Sequence, residues 1–304
     1  MAENNTEIQN TVAEQVAEAP KKRVRIGFVF LSIVPVAVLI AIQTVTQVPF
    51  LVISAVDLAQ SGKTTDPLEV ADNLLNVFNE KYAMWAYLLY AVAGLLVFGI
   101  WYFKGFVKNG PKIKFKEVFG VKSVCASLGM VIGLQFAITA AFVLAFRFLP
   151  DIMNNYVEIM NNAGLMDNPI IIICYAIIMG PIVEELCVRG ICFGFLEKSN
   201  IKPALMILIS GVLFGAMHLN LVQGVYASIL GFFLGFMRYK YRSIKLTIFI
   251  HILFNFMGTY GEMLLDKIIT NDALKLILGG VALFVLVFSA ALVTGDKKAY
   301  KAAE

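Results

Sequence analysis

The chain has 304 residues and a formal net charge of +4; 59% of its residues are hydrophobic and 15% charged. Its mean hydropathy is +0.79. A soluble domain carries roughly 25% charged residues, so this composition excludes a water-soluble globular enzyme, a disordered protein and a nucleic-acid partner. It leaves an all-α, polytopic membrane protein that lives in a lipid bilayer.

Residues 1–20 hold Glu3, Glu7, Glu14 and Glu18 and no basic residue, which reads as a disordered acidic tail. Lys21, Lys22, Arg23 and Arg25 form a basic flank ending at residue 26. Eight apolar stretches follow, at 27–50, 83–103, 124–147, 169–196, 201–218, 224–237, 246–263 and 276–294. The first is too long for a cleaved signal peptide. Crossing the hydrocarbon takes about 20 apolar residues, and in lipid the backbone must bond to itself, so each stretch is expected as a helix. The 224–237 stretch is the shortest and the most doubtful span. Nothing alternates at period two, which excludes a β-barrel. The expected layout is N-terminal helices over 27–150, a catalytic helical core over 151–295 and a short tail over 296–304.

Charge in the loops sets an orientation. Lys104, Lys108, Lys112, Lys114, Lys116 and Lys122 follow the second stretch, and Arg238, Lys240, Arg242 and Lys245 follow the sixth. Lys297, Lys298 and Lys301 end the chain. The alternate loops hold Asp57, Asp66, Glu69, Asp72 and Glu80, then Asp151, Glu158 and Asp167. Basic loops stay inside, so both termini are expected in the cytoplasm of a cell-membrane protein. Neither a fixed-period repeat nor the inverted repeat of a transporter is visible. Cys125, Cys174, Cys187 and Cys192 all fall in apolar stretches and read as small buried hydrophobes.

The fourth stretch breaks the apolar rule, with Glu184, Glu185 and Arg189 near its middle. The other stretches carry no charge in their interiors, and Arg147 lies close to an end. A charge at the bilayer centre costs at least ~2.5–3.5 kcal/mol, so three together must be paired, hydrated or functional. Glu185 and Arg189 are four apart and can pair. Glu184 is turned by about 100° from Glu185, which leaves it for another task. The two histidines of the chain, His218 and His251, both lie in apolar stretches, and Asn255 shares the His251 face. A carboxylate can take a proton from water that a histidine or a metal positions, and Asn or His can donate to an oxyanion. His218, His251 and Glu184 would make a two-His-carboxylate zinc set with an open position. A metal-free glutamate mechanism is the alternative that the residues alone leave open.

Residues 181–189 resemble the E-E-x-x-x-R motif of the CPBP family, the CAAX proteases and bacteriocin-processing enzymes also called Abi proteins. Phe214 to His218 resembles its F-x-x-x-H motif and His251 to Asn255 its H-x-x-x-N motif, in the family's order. Val188 stands where the family usually has an aromatic residue. The resemblance covers roughly 169–256. It implies an intramembrane endopeptidase with an eight-helix core, related to the type II CAAX prenyl endopeptidases. It further implies that Glu184 and His218 activate water while His251 and Asn255 hold a metal or the oxyanion, with Glu185, Arg189 and Phe214 in support. The expected enzyme is a zinc-dependent metallo-endopeptidase, with the metal-free glutamate mechanism as the alternative. The expected substrate is a membrane-associated or secreted peptide, or a membrane-anchored protein. The rival readings are a non-catalytic scaffold or immunity protein of the same fold, and an ion-coupled transporter.

Overall fold

Long apolar runs with no water to satisfy their backbone become helices, and a computed structural model shows that outcome. It describes residues 23–62, 67–108, 114–162 and 169–296, and among these there is no strand. Glu3, Glu7, Glu14, Glu18, Lys21, Lys22, Asp66, Lys112, Asp167, Lys297, Lys298 and Lys301 lie outside the described residues, so the acidic tail and the final lysines do too.

The main helices are α1 (Ile26–Gln60), α2 (Glu69–Val107) and α3 (Val121–Phe148), α4 (Pro150–Asn162), α5 (169–198), then α6 (Pro203–Ala216), α7 (Leu221–Tyr241), α8 (Ile244–Ile268) and α9 (Asp272–Thr294). Their ends follow local chemistry. Pro203 sits in the first turn of α6, where its missing N–H costs nothing. Asn220, Ser243 and Asn271 accept from the first free amides of α7, α8 and α9.

Every expected stretch falls on a helix, but the expected count of eight spans is not confirmed. Six helices, α1, α2, α3, α7, α8 and α9, are long and apolar enough to cross a membrane. The doubtful stretch at 224–237 lies in α7, which runs to 21 residues. The shortfall is at α6, whose 14 residues reach only about 21 Å at 1.5 Å per residue. Proline delays its start, and a left-handed residue, Leu219 at φ 54°, turns the chain after His218. The remaining stretch, α5, is continuous helix but carries Glu184, Glu185, Arg189 and Glu197.

Those charges sit at the centre of the fold. α5 packs against α1, α2, α6, α7 and α8, and Val183, Glu185, Val188, Arg189 and Phe193 have no exposed surface. The outer faces of α1 and α9 instead show Val45, Phe284, Val287 and Phe288, the apolar surface that lipid covers. Cys187 and Cys192 are buried as expected, Cys174 is half-buried, and Cys125 is exposed on α3. Small residues bring α6 and α7 into backbone contact: a Cβ on Gly231 would lie 2.8 Å from the Gly211 Cα. That closeness delivers the Gly231 carbonyl to α5.

Candidate active site

Glu184 and Glu185 ride on a six-residue α-helical segment, Gly180–Glu185. π-helical segments flank it, Ile172–Met179 before and Leu186–Cys192 after. Short π segments within α-helices frequently mark functional sites. Within the α segment itself the two adjacent carboxylates point about 100° apart and so face different neighbours.

Glu185 is fully buried and takes Arg189 Nη1 on Oε1 at 2.9 Å, the pair expected from the four-residue spacing. The same oxygen accepts from His251 Nδ1 at 3.2 Å. The expectation that Glu185 serves Arg189 alone is therefore incomplete: it also holds a histidine ring from α8. Since a carboxylate oxygen can only accept, His251 carries its proton on Nδ1, and Nε2 turns toward Glu184. His251 Nε2 lies 3.7 Å from Glu184 Oε2. That is too long for a direct hydrogen bond and close enough for one water to touch both. The Glu184 side chain is 19% exposed. Among the described residues no Lys or Arg pairs with it.

Phe214 joins the parts from α6. The Arg189 guanidinium lies 4.3 Å above its ring. The rings of His218 and His251 meet the Phe214 ring edge-on at centroid distances of 5.2 and 5.3 Å. His218 is thus brought to the same aromatic hub. Its Nδ1 donates to Phe214 O at 2.8 Å, which leaves Nε2 as its accepting nitrogen.

Asn255 has a use that the sequence did not reveal. Where a π segment returns to α register, one carbonyl is skipped. For Ile172–Met179 that carbonyl is Ala176 O, and the following amide position is Pro181, which has no N–H. Asn255 Nδ2 donates to Ala176 O at 2.8 Å. Asn255 therefore ties α8 to the Glu184 helix, and only its second Nδ2 hydrogen is left for an oxyanion.

The expected zinc set was His218, His251 and Glu184. Among the described residues no three His, Cys, Asp or Glu side chains form a group that would hold a metal ion. His251 Nδ1 is bonded to Glu185 and His218 Nδ1 to Phe214 O. Both rings thus keep Nε2, the nitrogen that a water or a metal would take.

Two polar partners escaped the sequence. Gly231 O accepts from Arg189 Nη2 at 2.9 Å. Arg238, assigned to a cytoplasmic loop, lies inside α7 with 7% of its surface exposed, and its Nε donates to Arg189 O at 3.1 Å. Seven residues separate Gly231 from Arg238, nearly two full turns, so both face α5. That spacing was readable, but α7 was expected to end one residue before the arginine.

Residues 166–257 match the family described as type II CAAX prenyl endopeptidase Rce1-like. In Bacillus subtilis (strain 168), the protein described as "Putative membrane peptidase YdiL" is 39% identical over 88 residues, which are 29% of this chain and 35% of that protein. The match thus spans about a third of the relative's length. No solved structure matches the chain. The matched segment contains α5, α6, α7 and the histidine-bearing part of α8, with every residue of the cluster. Over residues 166–257, the chain is similar to the Rce1-like type II CAAX prenyl endopeptidases, and this segment is set within a multi-pass helical membrane protein.

Proposed function

We propose that the chain is a membrane-embedded endopeptidase that hydrolyses a peptide bond through water activated by Glu184 and His251. The observation that carries this reading is the pair itself. A carboxylate that pairs with no Lys or Arg among the described residues faces the accepting nitrogen of a histidine whose other nitrogen is fixed by Glu185. A water donating one hydrogen to Glu184 Oε2 and one to His251 Nε2 turns a lone pair outward. As its oxygen attacks the peptide carbonyl carbon, Glu184 takes a proton and the carbonyl oxygen becomes an oxyanion. The free Nδ2 hydrogen of Asn255 is the donor offered to that charge. Collapse breaks the C–N bond, and the proton held by Glu184 passes to the leaving nitrogen. His218 Nε2 is a second acceptor on the Phe214 hub. Glu185 and Arg189 orient His251, and no step is routed through a metal.

The half-buried carboxylate inside a helical membrane bundle favours a peptide held at the bilayer. The substrate class is thus a membrane-associated peptide or the anchored end of a protein, lipidated or not. The test is product analysis of membrane-anchored peptides incubated with the full chain in proteoliposomes. Discrete internal cleavage that survives a strong chelator is expected. Cleavage abolished by chelation and restored by zinc would replace this mechanism with the two-His-carboxylate one. No cleavage, or cleavage equal to that of a Glu184→Gln preparation, would contradict the peptidase.

We further assign both termini to the cytoplasm, supported by the lysines at 104–122 and the acidic residues at 57–80. A reporter fused after Lys301 is expected to read as cytoplasmic and one inserted near Asp72 as external. An external reading at both positions would show an odd number of crossings, with the short α6 as the first suspect, and a reversal of both would invert the orientation.

A further inference from the structure

Arg238 is a buried cation that the proposed chemistry does not use, and its contacts are unusual for an ion pair at a membrane edge. In the π segment Leu186–Cys192 the last amide in π register is Phe193, which bonds to Val188 O. An α segment, Phe193–Lys198, follows, and in α register the next amide, that of Gly194, is the partner of residue 190. The carbonyl between them, Arg189 O, is skipped. A skipped buried carbonyl must find a donor or lose the free energy of an unmade hydrogen bond. Arg238 Nε supplies the donor at 3.1 Å.

The rest of the guanidinium locks that donor in place. Nη1 and Nη2 bond to Glu197 Oε1 and Oε2 at 3.3 and 3.2 Å, and the group lies 5.3 Å from the Phe193 ring. Arg189 is thus gripped twice by one face of α7, its carbonyl by Arg238 and its side chain by Gly231 O. Arg189 Nη1 then binds Glu185, and Glu185 binds His251. The second skipped carbonyl of α5, Ala176 O, is filled by Asn255. The segment bearing both glutamates is therefore pinned at each end by a side chain from another helix.

We infer that Arg238 is a positioning residue of the site: by filling the skipped carbonyl of Arg189 it holds the π register that sets Glu185 against His251. The inference rests on the peptidase reading for its effect on turnover, but not for its effect on His251. The plainer alternative is that the Arg238–Glu197 ion pair alone matters, as a fastening between α5 and α7.

Three variants separate the two. Arg238→Met removes the donor. Arg238→Gln places an amide N–H where Nε stood and loses the ion pair. Glu197→Gln removes the ion pair and leaves Nε. The chain has two histidines, so 15N-histidine labelling of the detergent-solubilised full chain reports His251 with His218 as an internal reference. Arg238→Met is expected to shift the His251 ring nitrogens and to lower kcat by on the order of 10- to 100-fold, the cost of a small misplacement, with KM nearly unchanged. Arg238→Gln and Glu197→Gln are expected to keep the wild-type His251 signals and most of kcat. A folded Arg238→Met with unaltered His251 signals and kcat would overturn the inference. So would a Glu197→Gln that reproduces the Arg238→Met effect. Should Arg238→Met not fold, the other two variants decide: retained His251 signals in both support the inference, and a shift in either overturns it. If the wild type hydrolyses nothing, the His251 signals still decide the role of Arg238, and that failure belongs to the peptidase reading alone.

Discussion

Replacing Glu184 by glutamine is expected to lower turnover by at least ~10²-fold, the low end for loss of a general base. The folded protein should survive the change. Glu184 pairs with no Lys or Arg among the described residues, and its one close ionic neighbour is His251 at 3.7 Å. Removing an intramembrane charge that no cation balances relieves a cost rather than adding one. The melting temperature is therefore expected to match that of the wild type or to exceed it, as commonly happens when a strained active-site group is neutralised. Turnover and thermal unfolding of both proteins in one detergent give the answer. Substantial residual turnover with intact stability would remove Glu184 from the chemistry.

The adjacent position should behave in the opposite way. Glu185 and Arg189 have no exposed surface and bond to each other at 2.9 Å. Removing one partner of such a pair leaves the other charge buried and uncompensated, typically at ~3–5 kcal/mol. Against a total stability of about 5–15 kcal/mol, Arg189→Gln should cut folded yield and melting temperature sharply. Glu185→Gln should do the same, and it should also impair whatever folded fraction remains, because Glu185 Oε1 is the acceptor for His251 Nδ1. Yield, melting temperature and turnover per folded molecule check this. If Glu185→Gln and Glu184→Gln melt alike and are equally inactive, the two carboxylates form one network and the division between them fails.

The helical fold was legible because lipid leaves the backbone a single solution, and an apolar run is visible without any knowledge of packing. The number of crossings was less so. Pro203 and the left-handed Leu219 trim α6 from both ends, whereas α7 extends past its apolar run to include Arg238. Of the site, the Glu185–Arg189 pair was legible because it needs only the helix period. The meeting of His251 with both glutamates was legible only as an expectation of convergence, since the contact joins α5 and α8 across 66 residues. The π segments were not legible at all. Their extra residue shows in no local composition, yet it decides which carbonyls need a side-chain donor. That is why Asn255 was expected at an oxyanion and is found on Ala176 O, and why Arg238 was expected in a loop. A charged residue within one turn of an apolar run, two turns from a glycine, is the pattern that would have pointed to it.

The most direct test of a Glu184-activated water is to follow its oxygen. Membranes carrying the wild-type chain or Glu184→Gln are incubated in water enriched in oxygen-18, and the released peptides are analysed by mass spectrometry. The expected result is a set of peptides present only with the wild type, each with one heavy oxygen in its new C-terminal carboxylate. Identical peptide sets from the two membranes would contradict hydrolysis by this chain, and wild-type products whose new C-termini carry no heavy oxygen would contradict attack by water.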